Sequence, residues 1–205
     1  MAIDIHAREL RLITADGEEI ADTDALQGTW TEEQYTRLTN RTNRLIEFEN
    51  GSIEVLPMPT EEHQDILQFL QFALHAFLHP RGGKVQIAPR RLAIHGGKVR
   101  EPDLMVLLDA KDFRRQSVRW LGADLVMEIV SPDDPKRDKV VKRIEYAESG
   151  IAEYWIVDPQ DETITVLRLE GREYVEHGVF RRGDTASSSL LEGFAVDVNA
   201  VLDAD

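Results

Sequence analysis

Asp103, Glu128 and Lys142 are the residues whose types and spacing could do chemistry. Pro102-Asp103 opens the apolar run Leu104 to Leu108, and Glu128 stands 25 residues further on, inside a second apolar run of Leu125, Val126, Met127, Ile129 and Val130. Read as strands, whose side chains alternate between faces, the two runs put Glu128 with Val126 and Val130, and Asp103 with Met105 and Leu107. If the strands are neighbours, the two carboxylates converge on one point. A carboxylate buried without a partner costs on the order of several kcal/mol, so something must offset the charge. A divalent cation is suitable. Mg2+ and Mn2+ prefer oxygen and often take one or two carboxylates together with phosphate and water. The carbonyl of Ile129 is a further candidate ligand.

After the second run the chain turns at Ser131 to Pro135 and carries Lys139, Lys142 and Tyr146, which share one sector of a helix. A lysine beside a cation site can orient an attacking water, help deprotonate it, or stabilise charge developing on phosphorus. By helical wheel, however, Lys142 lies well off the stripe Val140, Val141, Ile144, Ala147 and Ile151 that is expected to face the core.

Each residue has a plainer explanation. Asp103 could be a strand-start residue after proline, Glu128 could be salt-bridged to an arginine, and Lys142 could pair with Asp138 four residues earlier. What singles them out is their order: Pro-Asp opening one apolar strand, a carboxylate in the next, then a helix bearing lysine. Other motifs fail. His75 and His79 are spaced as in a zinc-binding helix, but Ala76 stands where the zincin pattern needs glutamate. No phosphate-binding glycine loop, dinucleotide fingerprint or nucleophile elbow occurs.

The elements that must position these residues can be read in order. Residues 1–28 are acidic, with weak alternation from Glu9 to Thr14 and a turn at Asp16-Gly17, and suggest an arm or appended hairpin. Residues 29–205 read as one domain. Thr31 and Gln34 form a capping-box pattern for a short helix, and Asn50-Gly51 separates two short strands as a hairpin turn. Thr60 caps a long helix with Ile66, Leu67, Leu70, Ala73, Leu74, Phe77 and Leu78 at helical spacing. Short strands follow at 84–88, 91–94 and 100–109, then 124–130. Asp134 and Pro135 start the lysine helix as N-cap and first residue. Three further strands, a last strand at 194–198 and a short terminal helix complete an α/β chain: a mixed β-sheet with helices on its faces.

Composition narrows the class. With no cysteine there is no disulfide framework, thiolate nucleophile or cysteine zinc site. No apolar run approaches the roughly 18 to 20 residues that span a bilayer, and the start of the chain lacks a secretory pattern, so a cytoplasmic protein without membrane contact is expected. The net charge of −14 argues at first against nucleic acid. The charge is unevenly spread, however: residues 80–143 carry a balance of +6 and the remainder −20. A polyanion senses local potential within a Debye length, about 8–10 Å, more than the total charge. The basic middle is compatible with a nucleic-acid cleft and equally with solvated faces.

The stretches "EPDLMVLLD", "DLVMEIVSPDDPKRDKVVKRIEYAESGIAEYWIVDP" and "EFENGSIEVLPMPTEEHQDIL" resemble the Uma-type family of putative restriction endonucleases, members of the PD-(D/E)-x-K nuclease superfamily. The resemblance spans roughly Trp30 to Asp197. It implies a restriction-endonuclease-like core and metal-dependent hydrolysis of DNA phosphodiesters with Mg2+ or Mn2+, with Asp103 and Glu128 as the motif carboxylates. The sequence departs from the superfamily pattern at Val130, where lysine is expected, and Lys142 occupies the matching place on the following helix, with Lys139 as its competitor. Glu47 and His63 match further family positions and could face the cleft, as could Tyr146. Arg90, Arg91, Lys136 and Arg137, with Lys139, are candidates to hold phosphate without reading sequence. A homodimer would suit an enzyme cutting two strands. The rival expectation is a catalytically degenerate binding or interaction module of the same fold. A carboxylate-pair hydrolase such as a glycosidase is weaker, because too few aromatic residues lie near the acids to suggest a sugar platform.

Overall fold

The computed structural model describes residues 26–205 except residue 43, together with the backbone of two short strands, β1 (Arg11–Ile13) and β2 (Glu19–Asp22), which pair antiparallel. The Asp16-Gly17 turn lies outside the described residues. The chain continues through α1 (Glu32–Thr39), whose capping box between Thr31 and Gln34 forms as read, then β3 (Ile46–Glu49) and β4 (Ser52–Val55). Asn50 and Gly51 both take positive φ, as the tight turn between these strands requires. A Cβ on Gly51 would also lie 2.6 Å from the carbonyl oxygen of Gly28, so this position excludes a side chain twice over. Next come α2 (Glu61–Leu78), β5 (Lys84–Ile87), β6 (Leu92–Ile94), β7 (Lys98–Arg100), β8 (Leu104–Leu107) and β9 (Leu125–Ile129). A π-helical turn over Arg137–Val141 leads into α3 (Lys142–Glu148). The chain ends with β10 (Glu153–Asp158), β11 (Thr163–Glu170), β12 (Glu173–Arg181), β13 (Thr185–Ser187), β14 (Ala195–Asp197) and α4 (Val198–Leu202).

Two sheets carry the architecture. The larger has the order β12-β11-β10-β9-β8-β5; β9 and β10 run parallel and every other pair antiparallel. The smaller, β4-β3-β7-β6, is antiparallel. The sequence suggests one continuous strand from Arg100 to Asp109. Instead Glu101-Pro102-Asp103 carries the chain from the smaller sheet to the larger one. Proline has no N–H to give a ladder, so it suits the place where pairing changes partners. As a result Glu101 stays with the small lobe and Asp103 starts the central sheet.

The larger sheet is covered on both faces. On one, Ile66, Leu67, Leu70, Leu74 and Leu78 of α2 pack on Leu104, Val106, Leu125, Met127 and Ile129. On the other, Tyr146, Ala147 and Ile151 pack on Met105, Leu107, Val126, Val130, Tyr154 and Ile156. Because both faces are covered, β9 is buried along its whole length, which accounts for its unbroken apolar run. Among the described residues no helix is long and apolar enough to cross a membrane.

One expectation is overturned. Val140, Val141 and Ile144 are not the buried stripe of the lysine helix: they are 45%, 42% and 56% exposed, while Asp138, Lys142, Glu145 and Tyr146 point inward. The apolar stripe predicted from the sequence loses because the buried carboxylates beneath this helix need a cation and hydrogen-bond donors, which only its polar side supplies.

Glu153 joins the last unit to the sheet. It is fully buried, and it accepts hydrogen bonds from Trp155 Nε1 (2.6 Å), Ser188 Oγ (2.6 Å), the Ser189 amide and hydroxyl (2.6 Å each) and the Leu190 amide (2.8 Å).

Candidate active site

The register of β8 against β9 pairs Leu104 with Met127, Met105 with Val126 and Val106 with Leu125. Continued one step, it sets Asp103 across from Glu128, on the face shared by Met105, Leu107, Val126 and Val130. The convergence expected of the two carboxylates follows from this register. The Asp103 amide lies 3.4 Å from Glu128 Oε2, and Asp103 Oδ2 accepts from the Ile129 amide at 2.8 Å.

The helix completes the cluster. Lys142 Nζ lies 3.0 Å from Glu128 Oε1 and 2.9 Å from Asp138 Oδ1, and all three side chains are at least 94% buried. Tyr146 donates its hydroxyl to the same Glu128 oxygen at 2.5 Å. Glu128 Oε1 is therefore held by two donors, while Oε2 has only the long contact with the Asp103 amide. Lys142 makes the plain i,i+4 pair with Asp138 and the contact with Glu128 together, so the two readings of this lysine are compatible. From the first turn of α2, His63 Nε2 approaches Asp103 Oδ2 at 3.2 Å, and its buried Nδ1 has no hydrogen-bond partner among the described residues.

Electrostatics follow from burial. Burial, together with the charges of Asp103 and Asp138, holds the Glu128 carboxyl above the ordinary carboxylate range, although Lys142 and Tyr146 pull the other way. Burial alone would lower Lys142, but Asp138, Glu128, Glu47 and Asp103 raise it above the usual lysine value, so it stays an ammonium. That favours a donor and charge-stabilising role over service as a base. Burial likewise opposes the charged form of His63, yet Asp103 and Asp138 raise its pKa.

These groups open on a cleft of about 410 Å³. Its apolar wall includes Leu56, Pro57, Met58, Ile87, Pro89 and Pro132. Its charged lining is mostly acidic: Glu54, Glu62, Glu101, Asp103, Glu128, Asp133, Asp134 and Asp138, against Arg137 and Lys142. Glu47 lies behind the cleft, fully enclosed, and is bonded to Arg137, to Arg100 at 3.5 Å and to the Glu101 amide at 3.1 Å. Burial would raise its pKa, but Lys142, Arg137 and Arg100 hold it below the ordinary value.

The remaining candidates lie apart from Glu128. Lys139 pairs with Asp158 and, at 2.7 Å, with Asp161, so between the two lysines only Lys142 touches the carboxylates. Arg90 is bonded to the carbonyls of Gln116 and Ser117. Arg91 donates to Asn40 Oδ1 at 2.9 Å and lies 3.7 Å from Glu101. Arg137 lines the cleft but is paired with Glu47 and, at 2.5 Å, with Glu54. Lys136 is exposed.

Two members of the site were missed in the sequence as site residues. Asp138 reads there only as a helix pair for Lys142. Glu101, 4% exposed, accepts from the Ile46 amide at 3.0 Å and is pushed up to about 7 by burial and by the neighbouring Glu47. Its position immediately before Pro-Asp was the available signal.

Among the described residues no group of three or more His, Asp or Glu side chains forms a ready-made metal cage. The donor set nevertheless fits one hard divalent cation. Two buried carboxylates, Glu128 and Asp138, and the partly buried Asp103 surround a single lysine, and the remaining oxygens would come from water and substrate.

The family described as "Uma2: Putative restriction endonuclease" matches residues 32–199. A crystal structure titled as a putative nuclease belonging to DUF820, from Anabaena variabilis, superposes with a TM-score of 0.65 at 20% identity, covering 79% of this chain and 92% of that one. At that identity the likeness is one of fold. No curated protein sequence gives a significant match.

Proposed function

Because the chain belongs to the Uma2 family of restriction-endonuclease-like proteins, we propose that it is a metal-dependent nuclease that hydrolyses DNA phosphodiester bonds. The observation that carries this reading is the placement of Asp103 opposite Glu128 on neighbouring strands, with Lys142 and Tyr146 holding one Glu128 oxygen.

Asp103, Glu128 and the Ile129 carbonyl would hold Mg2+ or Mn2+. Bound there, the cation would offset negative charge on the scissile phosphate and acidify water. The protein's own groups do the rest. The Ile129 amide and His63 fix one Asp103 oxygen, and Tyr146 fixes Glu128. Lys142 supplies a permanent positive charge and N–H donors for the attacking water or the developing phosphorane charge. The apolar wall limits water around the reacting phosphate. A homodimer would bring two such clefts to two strands.

The test is cleavage of plasmid DNA with Mg2+ or Mn2+. Activity should depend on the metal and disappear in Asp103→Ala and Glu128→Ala. No activity, or activity that survives both substitutions, sinks the proposal. One observation favours a second reading, a non-catalytic module of the same fold: both cations lining the cleft are already ion-paired with acids. Metal titration separates the two. A cation site raises the melting temperature with metal concentration by mass action, and a module without one shows no shift.

A further inference from the structure

The turn that precedes α3 is wound differently from the helix it enters. The Lys142 amide donates to the carbonyl of Arg137, five residues back. In a regular α-helix it would donate to Asp138, four residues back. The Asp138 carbonyl instead accepts the hydroxyl of Tyr154 at 2.9 Å. Tyr154 is fully buried on β10, and its ring meets Tyr146 edge-on at 5.2 Å, so its hydroxyl has a fixed position.

The winding decides which way Arg137 points, whereas Asp138, four residues before Lys142, shares its face in either winding. At about 100° per residue, an α-helix would set Arg137 roughly 140° around the axis from Lys142, away from the cleft. A turn closed over five residues brings the residue five positions back nearly beneath. In the structure Arg137, Asp138 and Lys142 all line the cleft, with Arg137 on Glu47 and Glu54 and Asp138 on Lys142.

We propose that Tyr154 is a positioning residue of the site: by capturing the Asp138 carbonyl it holds the π-turn that keeps Arg137 on the cleft side beside Lys142. The effect on activity rests on the nuclease reading above, whereas the effect on the turn does not.

Tyr174 provides the control. It too is a buried tyrosine beside Tyr154, with ring centroids 5.9 Å apart, but its hydroxyl donates to the carbonyl of Ile151 at 2.8 Å and not to a carbonyl of the turn. The experiment compares the unsubstituted protein, Tyr154→Phe and Tyr174→Phe. Each is treated with phenylglyoxal, and modification of Arg137 is followed by peptide mass spectrometry. Arg137 should be protected in the unsubstituted protein and in Tyr174→Phe. In Tyr154→Phe it should react at the rate of an exposed arginine such as Arg172. Cleavage with Mn2+ should fall by up to about a hundredfold in Tyr154→Phe only, the scale expected when a group lining the site is misplaced by about 1 Å. Continued protection of Arg137 in Tyr154→Phe overturns the inference, as does equal exposure in both variants. If the unsubstituted protein neither binds Mn2+ nor cleaves, the nuclease reading fails and the labelling still decides the role of Tyr154. A measurement without any variant gives a second test: the Tyr154 hydroxyl proton should exchange slowly with solvent by NMR, and rapid exchange overturns the inference.

Discussion

Replacing Lys142 with methionine tests the buried cluster most directly. Methionine keeps much of the length of the side chain and removes the charge. The ammonium sits 3.0 Å from Glu128 and 2.9 Å from Asp138. At an effective dielectric near 20, each contact is worth roughly 5 kcal/mol of Coulomb energy, much of it offset by the cost of desolvating the ions. Removing one partner of such a buried group typically costs about 3–5 kcal/mol, because the remaining carboxylates are left without compensation. The expected loss is therefore about 3–5 kcal/mol at pH 9. It should be smaller at pH 6, with the sign fixed by Glu128. Its folded pKa is raised already, so its contribution is present at low pH and is lost as pH rises through the folded value; without Lys142 the carboxyl holds its proton more tightly still. Urea denaturation in EDTA, followed through the buried Trp120 and Trp155, measures this directly. A loss below about 1 kcal/mol that does not change with pH would refute the reasoning, since that is the signature of an exposed pair. Mn2+ should restore part of the lost stability to the variant, because a cation can replace the missing charge.

Three further outcomes are expected. Glu101→Gln should be more stable than the unsubstituted protein above pH 7 and nearly equal at pH 5, because the Glu101 pKa of about 7 makes folding oppose its ionisation by up to about 3 kcal/mol; a difference that is flat across pH contradicts this. Glu153→Ala should cost about 2–4 kcal/mol in urea denaturation by leaving several buried donors without an acceptor, and a near-neutral result would show that the 188–190 loop finds other partners. Ile144→Gln should shift stability by no more than about 0.5 kcal/mol, as its exposure requires, whereas the stripe read from the sequence predicts a loss of about 2–5 kcal/mol on removing a buried isoleucine.

Local signals were legible in the chain itself. The capping residues Thr31 and Thr60, the Asn50-Gly51 turn and the apolar face of α2 depend on neighbours a few residues away, and they form as read. Asp103 and Glu128 could be nominated because a carboxylate in or beside an apolar strand conflicts with its surroundings wherever that strand lies. The pairing of β8 with β9 was only a condition in the sequence. Register is set by contacts across 25 residues of chain, and it decides that the two carboxylates meet. The orientation of the lysine helix was misread, because helical periodicity cannot know what lies beneath it. Val140, Val141 and Ile144 mark an apolar stripe, but Glu128 sits under the helix and only its polar side carries Lys142 and Tyr146. The π-turn likewise depends on Tyr154, a residue of the next strand. The types of groups available for chemistry were determined by the sequence alone. Which of them share a buried, water-poor space, and so perturb one another's charge, was decided by the tertiary structure, because burial and Coulomb coupling depend on distance in space and not along the chain.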